Sequence, residues 1–367
     1  MQAYDICAVA KQFQGCQAVT PYGNGHINDT YLIETGDCVI QRINHQVFRF
    51  PEQVMQNISL VTSHLREKVL AAGGDPGRET LSLIPTVDGR LFYCDENGNY
   101  FRAYNFIPNT VAYERVTSAG QFFHAGKAFG KFQRLLSDFP ADRLYETIPD
   151  FHNTRARFEQ LKEAIRRDAA GRVQKTGAEI AFALEREADV DVLAAGLSEG
   201  ILPVRVTHND TKLNNVLLDQ DTGEGVCVID LDTVMPGSLL FDYGDAIRFG
   251  ANHGEEDDRE LSRVYCDLAL FRAFTDGFLK ETNEFITEQE AALLPFSARL
   301  MTYECGIRFL ADYLNGDTYF KTHREGQNLD RARAQFRLVQ DLEAKEETLR
   351  EIVAEIRAGA GTECGGR

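Results

Sequence analysis

The sequence has no tryptophan, no C-x-x-C pair among its eight cysteines, and no apolar segment near the ~18 residues that a membrane-spanning helix needs. The cysteine spacing argues against a zinc site and favours a reducing compartment. The N-terminus shows no basic region followed by an apolar run, so we expect no signal peptide. These absences favour a cytoplasmic protein that does not enter a membrane.

Positive charge is also scarce, because 39 Lys and Arg residues stand against 56 Asp and Glu, giving a net charge of −17. A surface of this sign repels nucleic acid and anionic membranes, so neither is an expected partner. No interface pattern is evident in the sequence, and we expect a monomer. The 367 residues, 43% of them hydrophobic, suffice for a large core and suggest two domains.

The most specific motif is the segment HNDTKLNN, which runs from His208 to Asn215 and is followed fifteen residues later by Asp230. This spacing is typical of a phosphoryl-transfer loop followed by a metal-binding aspartate. Asp210 is the predicted catalytic carboxylate, which orients an acceptor hydroxyl and takes its proton. Asn215 and Asp230 supply the hard oxygen ligands that Mg²⁺ prefers. Lys212 is placed to reach the phosphate being transferred.

The stretch between the two metal ligands predicts a β-hairpin. Residues 216–218 and 226–229 are apolar, and residues 219–225 supply the turn. A hairpin would bring Asn215 and Asp230 side by side, so that one ion could bind both. Asp232, two residues further on, either supports the metal indirectly or is a solvated turn residue.

A second candidate for phosphate binding lies near the N-terminus, where Gly23 and Gly25 permit a tight turn whose backbone amides approach phosphate. His26 in the same turn reaches either substrate or solvent. Kinases place a lysine on the third strand to bind phosphates. Here that strand reads VIQR, and Gln41 takes the lysine position while Arg42 points to the opposite face. Arg42 would replace the lysine only if the strand were bulged.

The secondary-structure pattern predicts an α+β fold with two lobes. Residues 1–108 begin with a short amphipathic helix and then alternate short strands with a helix that begins near Pro51, a favoured first-turn residue. Residues 109–358 show mainly helical spacing, and residues 359–367 form a glycine-rich tail that we expect to be flexible. The predicted helices of the second lobe cover 118–137, 154–169, 176–198, 257–282, 287–315 and 329–357.

These motifs together resemble the aminoglycoside phosphotransferase and choline kinase branch of the protein-kinase-like fold, and within it the N-acetylhexosamine 1-kinases. The resemblance implies a small antiparallel β lobe with a helix and a larger mainly helical lobe. It also implies ATP as co-substrate and phosphorylation of the anomeric 1-hydroxyl of N-acetylglucosamine or N-acetylgalactosamine. The matching stretches are PYGNGHIN at 21–28, VTHNDTK at 206–212, IDLDTVMPGSLLFDYGDAIRF at 229–249 and ECGIRFLADY at 304–313.

The resemblance also suggests residues that contact the two substrates. Residues 107–109 resemble the hinge between lobes, so adenine would bind near Tyr104 and Phe106. The sugar would contact Asp210 and, besides His26, the set Phe249, Arg308 and Tyr319. Core packing is the alternative for Phe249, and a helix-surface ion pair with Glu304 and Asp312 is the alternative for Arg308.

Other acceptors remain open at this point, namely choline, homoserine, methylthioribose or an aminoglycoside. The lack of tryptophan weakens the choline alternative, because cationic ligands usually bind in aromatic cages. Net acidity keeps an aminoglycoside possible. A pseudokinase that only binds ligands is the non-enzymatic alternative, supported by the missing lysine alone. The sequence does not decide between the gluco and galacto epimers.

Overall fold

The computed structural model describes residues 4–13, 19–23, 28–33 and 38–363 of the chain. The strands are, in chain order, β1 (Val19–Pro21), β2 (Asp29–Ile33), β3 (Cys38–Ile43), β4 (Leu83–Ile84), β5 (Tyr93–Cys94), β6 (Tyr100–Asn105), β7 (Thr110–Val111), β8 (Arg205–Thr207), β9 (Val216–Asp219), β10 (Gly225–Val228) and β11 (Met235–Gly237). The helices are α1 (Ile6–Ala10), α2 (Pro51–Ala71), α3 (Pro76–Glu79), α4 (Ala119–Leu135), α5 (Thr154–Arg167), α6 (Gly177–Leu184), α7 (Val192–Ser198), α8 (Leu239–Gly250), α9 (Leu268–Thr282), α10 (Glu288–Leu314), α11 (Gln327–Ala344) and α12 (Glu346–Glu363).

The chain forms two compact units that interleave along the sequence. The first unit contains Met1–Ala112, Asp138–Pro149 and Asn215–Pro236, and the second contains the remaining three stretches. The prediction of an antiparallel sheet with a helix plus a larger mainly helical part is confirmed. A boundary near residue 108 stays a prediction. Residues 215–236 belong to the first unit although they follow stretches of the second, so a single boundary cannot separate the two units.

The first unit is built on an antiparallel sheet with the strand order β1-β2-β3-β6-β4, in which β5 also pairs with β6. Ile40, Phe101 and Ala103 are fully buried on one face, because alternate residues of a strand point to the same side. Helix α2 begins at Pro51, as predicted, and buries one apolar stripe. A second sheet has the order β10-β9-β7.

The second unit is mainly helical, and its longest helix, α10, is buried along most of its length. Thr287 and Glu290 form a capping box at its start, since each side chain bonds the other residue's backbone N–H. Helices α4 and α9 pack closely because glycines face the contact. A Cβ on Gly126 would meet the backbone of Phe274, and one on Gly277 would meet the backbone of Phe123.

Three of the predicted helices differ from the structure. The segment 329–357 is not one helix, because α11 ends at Ala344 and α12 begins at Glu346. The apolar spacing continues across this break, so periodicity alone did not reveal it. The segment 176–198 is interrupted by a 3-10 turn, where Arg186 bonds Glu343 at 2.9 Å. Helix α9 begins only at Leu268, because Asp267 caps it.

Two further features of the fold bear on the sequence predictions. Helix α12 extends to Glu363, so part of the expected tail is helical, and residues 364–367 lie outside the described residues. Cys227 is buried, whereas Cys305 is only partly buried. Among the described helices, none combines the length and the apolar character needed to cross a membrane.

Candidate active site

The predicted catalytic aspartate lies on the loop between β8 and β9, beside the predicted phosphate-binding lysine. Asp210 Oδ1 is 2.6 Å from Lys212 Nζ, and both side chains remain about one-third exposed, at 29% and 34%. Burial by itself would raise the pKa of Asp210, but Lys212 and His208 hold that pKa below its ordinary value. Asp210 is therefore a carboxylate at neutral pH, the form that a general base requires.

Asp242 on α8 fixes the start of this loop. Its carboxylate accepts hydrogen bonds from the backbone N–H of His208 at 2.9 Å and of Asn209 at 2.7 Å. Gln133 Nε2 donates a third at 2.6 Å. Burial raises the pKa of Asp242, and these donors counteract that effect. Asp242 therefore holds the two backbone amides at the start of the loop.

Asp245, one turn further along α8, fixes the residue after the catalytic aspartate. Its Oδ2 accepts from the backbone N–H of Thr211 at 3.2 Å. Its Oδ1 accepts from Arg248 Nε at 2.9 Å. Arg248 is buried, and this ion pair compensates its charge. Asp245 thus bonds both a loop amide and a nearby arginine. Helix α8, which carries it, was not among the predicted helices.

His208 has a structural role in the loop. It is fully buried, and the rings of Phe129 and Phe132 approach it edge-on. Its Nδ1 accepts from the backbone N–H of Asp210 at 3.3 Å. Asn209 adopts a left-handed conformation with φ of 65°, which asparagine tolerates better than most residues. The loop backbone is thus bent immediately before the catalytic carboxylate.

The predicted hairpin between the metal ligands is confirmed. β9 and β10 are antiparallel, with Val216 opposite Val228 and an irregularity near Gly225. The backbone N–H of Ile229 donates to Asn215 O at 2.9 Å and extends the ladder by one residue. Asn215 thus lies at the end of the hairpin where Asp230 follows, as the sequence predicts.

The donor set at this end of the hairpin fits magnesium. Asn215 is buried, and Asp230 is exposed in a left-handed conformation with φ of 58°. A strained, exposed aspartate is typical of functional positions. Among the described residues no three His, Cys, Asp or Glu side chains cluster as a metal cage. One carboxylate and one amide leave most coordination positions to phosphate oxygens and water, which is how Mg²⁺ usually binds.

A buried ion pair in the first unit involves Asp232, which follows the hairpin of β9 and β10 with the predicted metal ligands Asn215 and Asp230 (the metal hairpin). Arg102 on β6 is fully buried and bonds Asp232 through Nη1, and Asp232 is 3% exposed. Gln41 on β3 accepts from Arg102 Nε at 3.0 Å and from Nη2 at 2.9 Å. Asn28 donates to the other oxygen of Asp232 at 2.6 Å. The proposal that Asp232 is a solvated turn residue was therefore wrong.

Arg102 is the residue that the sequence analysis missed. Burial by itself would lower its pKa, but Asp232 raises that pKa further, so the guanidinium stays charged. β3 and β6 pair in regular register with Gln41 opposite Arg102, so no bulge turns Arg42 inward. Arg42 instead bonds Asp29 at 2.7 Å. A cation within the apolar strand sequence YFRAYNF was the signal that could have identified Arg102.

The other predicted nucleotide-binding residues lie in the same unit. Tyr104 is buried, with the guanidinium of Arg102 5.2 Å from its ring centre. Phe106 is half-buried and packs edge-on against Tyr22, which precedes Gly23. Gly23 has φ of 73°, a conformation that favours glycine. The predicted residues Gly25 and His26 lie outside the described residues.

Two of the predicted sugar contacts line one cavity in the second unit. The cavity has a volume of about 330 Å³, and Arg308 and Tyr319 both contribute to its wall. The same cavity is also lined by Arg157 and Arg167 from α5 and by Phe320. Phe249 is half-buried at the end of α8 and does not line this cavity.

Arg308 does not form the helix-surface ion pairs that its neighbours suggested. Its guanidinium lies 5.8 Å from the ring centre of Phe151 and 5.6 Å from that of Phe320. Asp312, one turn after Arg308, is buried and accepts from the backbone N–H of Tyr319 at 2.9 Å and of Phe320 at 3.0 Å. Asp312 therefore bonds the backbone of the cavity wall instead of pairing with Arg308.

Arg157 adds a second guanidinium to the same cavity. Its Nη2 donates to Phe151 O at 3.1 Å, whereas its buried Nε has no hydrogen-bond partner among the described residues. Burial and the neighbouring charge of Arg308 lower the pKa of Arg157. Two like charges that face one cavity are compensated best by a ligand that offers hydrogen-bond acceptors.

Substitution of Asp230 by alanine is expected to weaken Mg²⁺-dependent ATP binding about 100-fold, because the predicted metal site loses the Asp230 carboxylate. Isothermal titration with and without Mg²⁺ measures the effect, and binding without Mg²⁺ should change little. Asp221→Ala is the matched control, since Asp221 is exposed in the turn of the same hairpin. Unchanged Mg²⁺-dependent binding in Asp230→Ala would place the metal elsewhere.

Comparison with known proteins agrees with this architecture. Residues 18–276, more than half of the chain, match the phosphotransferase enzyme family (APH). A microcompartment-associated aminopropanol kinase is similar in structure, with a TM-score of 0.60, 15% identity, and coverage of 94% of this chain and 98% of that chain. A spectinomycin phosphotransferase bound to ADP and spectinomycin gives a TM-score of 0.59 at 16% identity, covering 94% and 99%.

An aminoglycoside phosphotransferase from Alicyclobacillus acidocaldarius gives a TM-score of 0.56 at 14% identity, covering 99% of this chain and 98% of that chain. At such identities these structures establish the fold and nothing about the acceptor. The family match extends over the glycine turn, the catalytic loop and the metal hairpin. The chain belongs to the phosphotransferase enzyme family and is a small-molecule kinase of its aminoglycoside phosphotransferase and choline kinase branch.

Proposed function

We propose that the protein transfers the γ-phosphate of ATP to the anomeric 1-hydroxyl of an N-acetylhexosamine, giving the sugar 1-phosphate and ADP. The observation that carries the phosphoryl-transfer part is the pair Asp210 and Lys212, 2.6 Å apart on a loop whose backbone two carboxylates fix. A fixed carboxylate beside a cation is what such a transfer needs, because catalysis depends mainly on positioning and on charge.

In the proposed reaction, Asp210 orients the anomeric hydroxyl and takes its proton. The hydroxyl oxygen forms the new bond to the γ-phosphorus while the bond from that phosphorus to the β,γ-bridging oxygen breaks, so ADP leaves. Lys212 attracts the phosphoryl oxygens as charge spreads over them. Asn215 and Asp230 would hold Mg²⁺, which supplies further neutralisation of phosphate charge.

The nucleotide would bind the first unit through backbone near Tyr104 and Phe106 and through the turn at Gly23. Arg102 supplies the cation that the strand β3 lacks, although Asp232 and Gln41 already bond it. We therefore propose that Arg102 positions the metal hairpin rather than binding phosphate by itself. Gln41 stays a predicted nucleotide contact.

The lining of the cavity in the second unit supports an uncharged acceptor. Arg157, Arg167 and Arg308 contribute positive charge, while the buried carboxylate of Asp312 is already bonded to backbone N–H groups. Glu163 also lines the cavity, but it pairs with Arg166 at 2.6 Å. A cationic acceptor such as choline or an aminoglycoside would be repelled here. The carbonyl and hydroxyl oxygens of an N-acetyl sugar can accept from the guanidinium groups.

A series of contacts inside the second unit also links the helix that carries Arg308 to the catalytic loop. Arg308 lies one helical turn after Glu304, and Glu304 bonds His152 at 2.9 Å. His152 in turn contacts Asn209 O at 3.1 Å, next to Asp210. This adjacency supports Arg308 and Tyr319 as sugar contacts. Phe249 and His26 stay predicted contacts on the basis of resemblance alone.

The test is ADP release with MgATP across N-acetylglucosamine, N-acetylgalactosamine, glucose, galactose, choline, homoserine, kanamycin, 1-amino-2-propanol and spectinomycin, with phosphorus NMR of the product. The last two acceptors represent the structurally similar kinases. A sugar 1-phosphate from either N-acetyl sugar is expected. Faster turnover of a cationic acceptor would discard the sugar while keeping Asp210, Asn215 and Asp230 in their roles.

A further inference from the structure

A buried histidine outside the kinase motif contacts the backbone of the catalytic loop. His152 lies just before α5, and its side chain is 7% exposed. Its Nε2 is 3.1 Å from Asn209 O, and its Nδ1 is 2.9 Å from Glu304 Oε1. The rings of Phe151 and Phe241 pack against the imidazole. The two polar partners come from the catalytic loop and from α10, which are distant in sequence from His152.

Both partners of His152 are hydrogen-bond acceptors. A backbone carbonyl can only accept, and a carboxylate can only accept while it is ionised. Burial by itself would raise the pKa of Glu304, but His152, Arg308 and Thr154 hold that pKa below its ordinary value. Glu304 is therefore a carboxylate, and its other oxygen accepts from Thr154 Oγ1 at 2.7 Å.

Two acceptors can be satisfied together only if both ring nitrogens carry hydrogen. A neutral imidazole has one N–H, so it would leave one nitrogen lone pair facing an oxygen lone pair. The charged groups that face His152 are Glu304 and, more distantly, Arg308 on α10 and Arg157 on α5. Glu304 is the nearest of them, and its Oε1 lies 2.9 Å from the ring nitrogen Nδ1.

We propose that His152, held as an imidazolium by Glu304, is a positioning residue for phosphoryl transfer, because its Nε2–H fixes the carbonyl of Asn209 and with it the carboxylate of Asp210. The inference rests on the proposed role of Asp210. Asn209 has φ of 65°, so the peptide before Asp210 has an unusual orientation that a hydrogen bond to its neighbour helps to maintain.

The first test compares two histidine substitutions. His152→Ala is expected to lower kcat about 10- to 100-fold, the effect of losing one charge-assisted hydrogen bond, with little change in the KM for ATP. His64→Ala is the matched control, because His64 Nε2 is 3.1 Å from Asp138 on the surface of the first unit. Equal kcat values for the two variants would overturn the inference.

The second test keeps the histidine and removes the charge that fixes its protonation. In Glu304→Gln, the amide carbonyl can still accept from Thr154 while the amide N–H₂ donates to His152 Nδ1. A neutral ring then carries its hydrogen on Nε2 and still donates to Asn209 O. We expect kcat to fall less than about threefold. A loss of kcat as large as that of His152→Ala would contradict the inference.

Nitrogen-15 NMR of the histidine rings provides a readout that needs no acceptor, so it distinguishes failure of this inference from failure of the proposed function. In the full-length protein at neutral pH, both ring nitrogens of His152 are expected to show the shifts of an imidazolium, and the resonance is assigned by its loss in His152→Ala. In Glu304→Gln the neutral Nε2–H tautomer is expected. A neutral Nδ1–H ring in the unchanged protein would overturn the inference.

Discussion

Replacement of Asp210 by asparagine is expected to lower kcat about a thousandfold while the Kd for MgATP changes less than about threefold. Asparagine has the same shape and can still orient a hydroxyl, but it cannot take the proton, and general-base catalysis contributes roughly 10²- to 10⁴-fold. The effect is expected across neutral pH, because Lys212 and His208 keep the pKa of Asp210 below its ordinary value. Steady-state ADP release and calorimetric titration of MgATP measure the two quantities.

The matched control for this prediction is Asp276→Asn. Asp276 also lies beside a lysine, with Lys280 Nζ 3.7 Å away, but the pair is exposed on α9 and distant in sequence from the loop. An exposed pair of this kind contributes little to stability. Normal kcat is expected there. Normal kcat in Asp210→Asn would remove Asp210 from the role of base.

The second large effect is expected on stability, from Arg102→Met. Loss of the guanidinium leaves the buried carboxylate of Asp232 without its cation and removes both donors to Gln41 Oε1. Breaking a buried ion pair on one side costs about 3 to 5 kcal/mol. Urea unfolding followed by circular dichroism measures the cost, and the KM for ATP should rise in the fraction that remains folded, since Asp232 follows the metal hairpin.

A double variant makes this prediction specific to the pair. Arg102→Met with Asp232→Asn should cost less than the two single changes added together, because no unpaired charge then remains buried. Arg90→Gln is the control in the same unit, where Arg90 and Asp88 are 60% and 51% exposed and no measurable loss of stability is expected. Additive costs in the double variant would show that the pair is not coupled.

The catalytic loop and the metal hairpin could be predicted because their chemistry is local. Asp210 and Lys212 are two residues apart, and the hairpin after Asn215 follows from its turn residues and apolar strands. The contact of Arg102 with Gln41 could not be predicted, because it depends on the register of two strands whose paired residues are 61 positions apart. The break at Lys345 was missed because apolar periodicity runs through it.

The contact of Glu304 with His152 shows a second limit of sequence reasoning. The 152 positions between them contain no pattern that pairs them, and Glu304 was interpreted only as a neighbour of Arg308 on one helix. The burial of Glu304 explains this contact, because a carboxylate that is 1% exposed must find hydrogen-bond donors in the core. Helix spacing predicted where Glu304 lies, but not what it bonds.

The interleaving of the first unit has a consequence for synthesis on the ribosome. Arg102 leaves the ribosome 130 residues before Asp232, which at translation rates of 5 to 20 residues per second is a delay on the order of 10 seconds. During that interval Arg102 on β6 lacks its carboxylate partner, because Asp232 has not yet been translated. The first unit should therefore complete its folding only after the catalytic loop has been translated, and residues 1–112 alone should not yield a stable ATP-binding fragment.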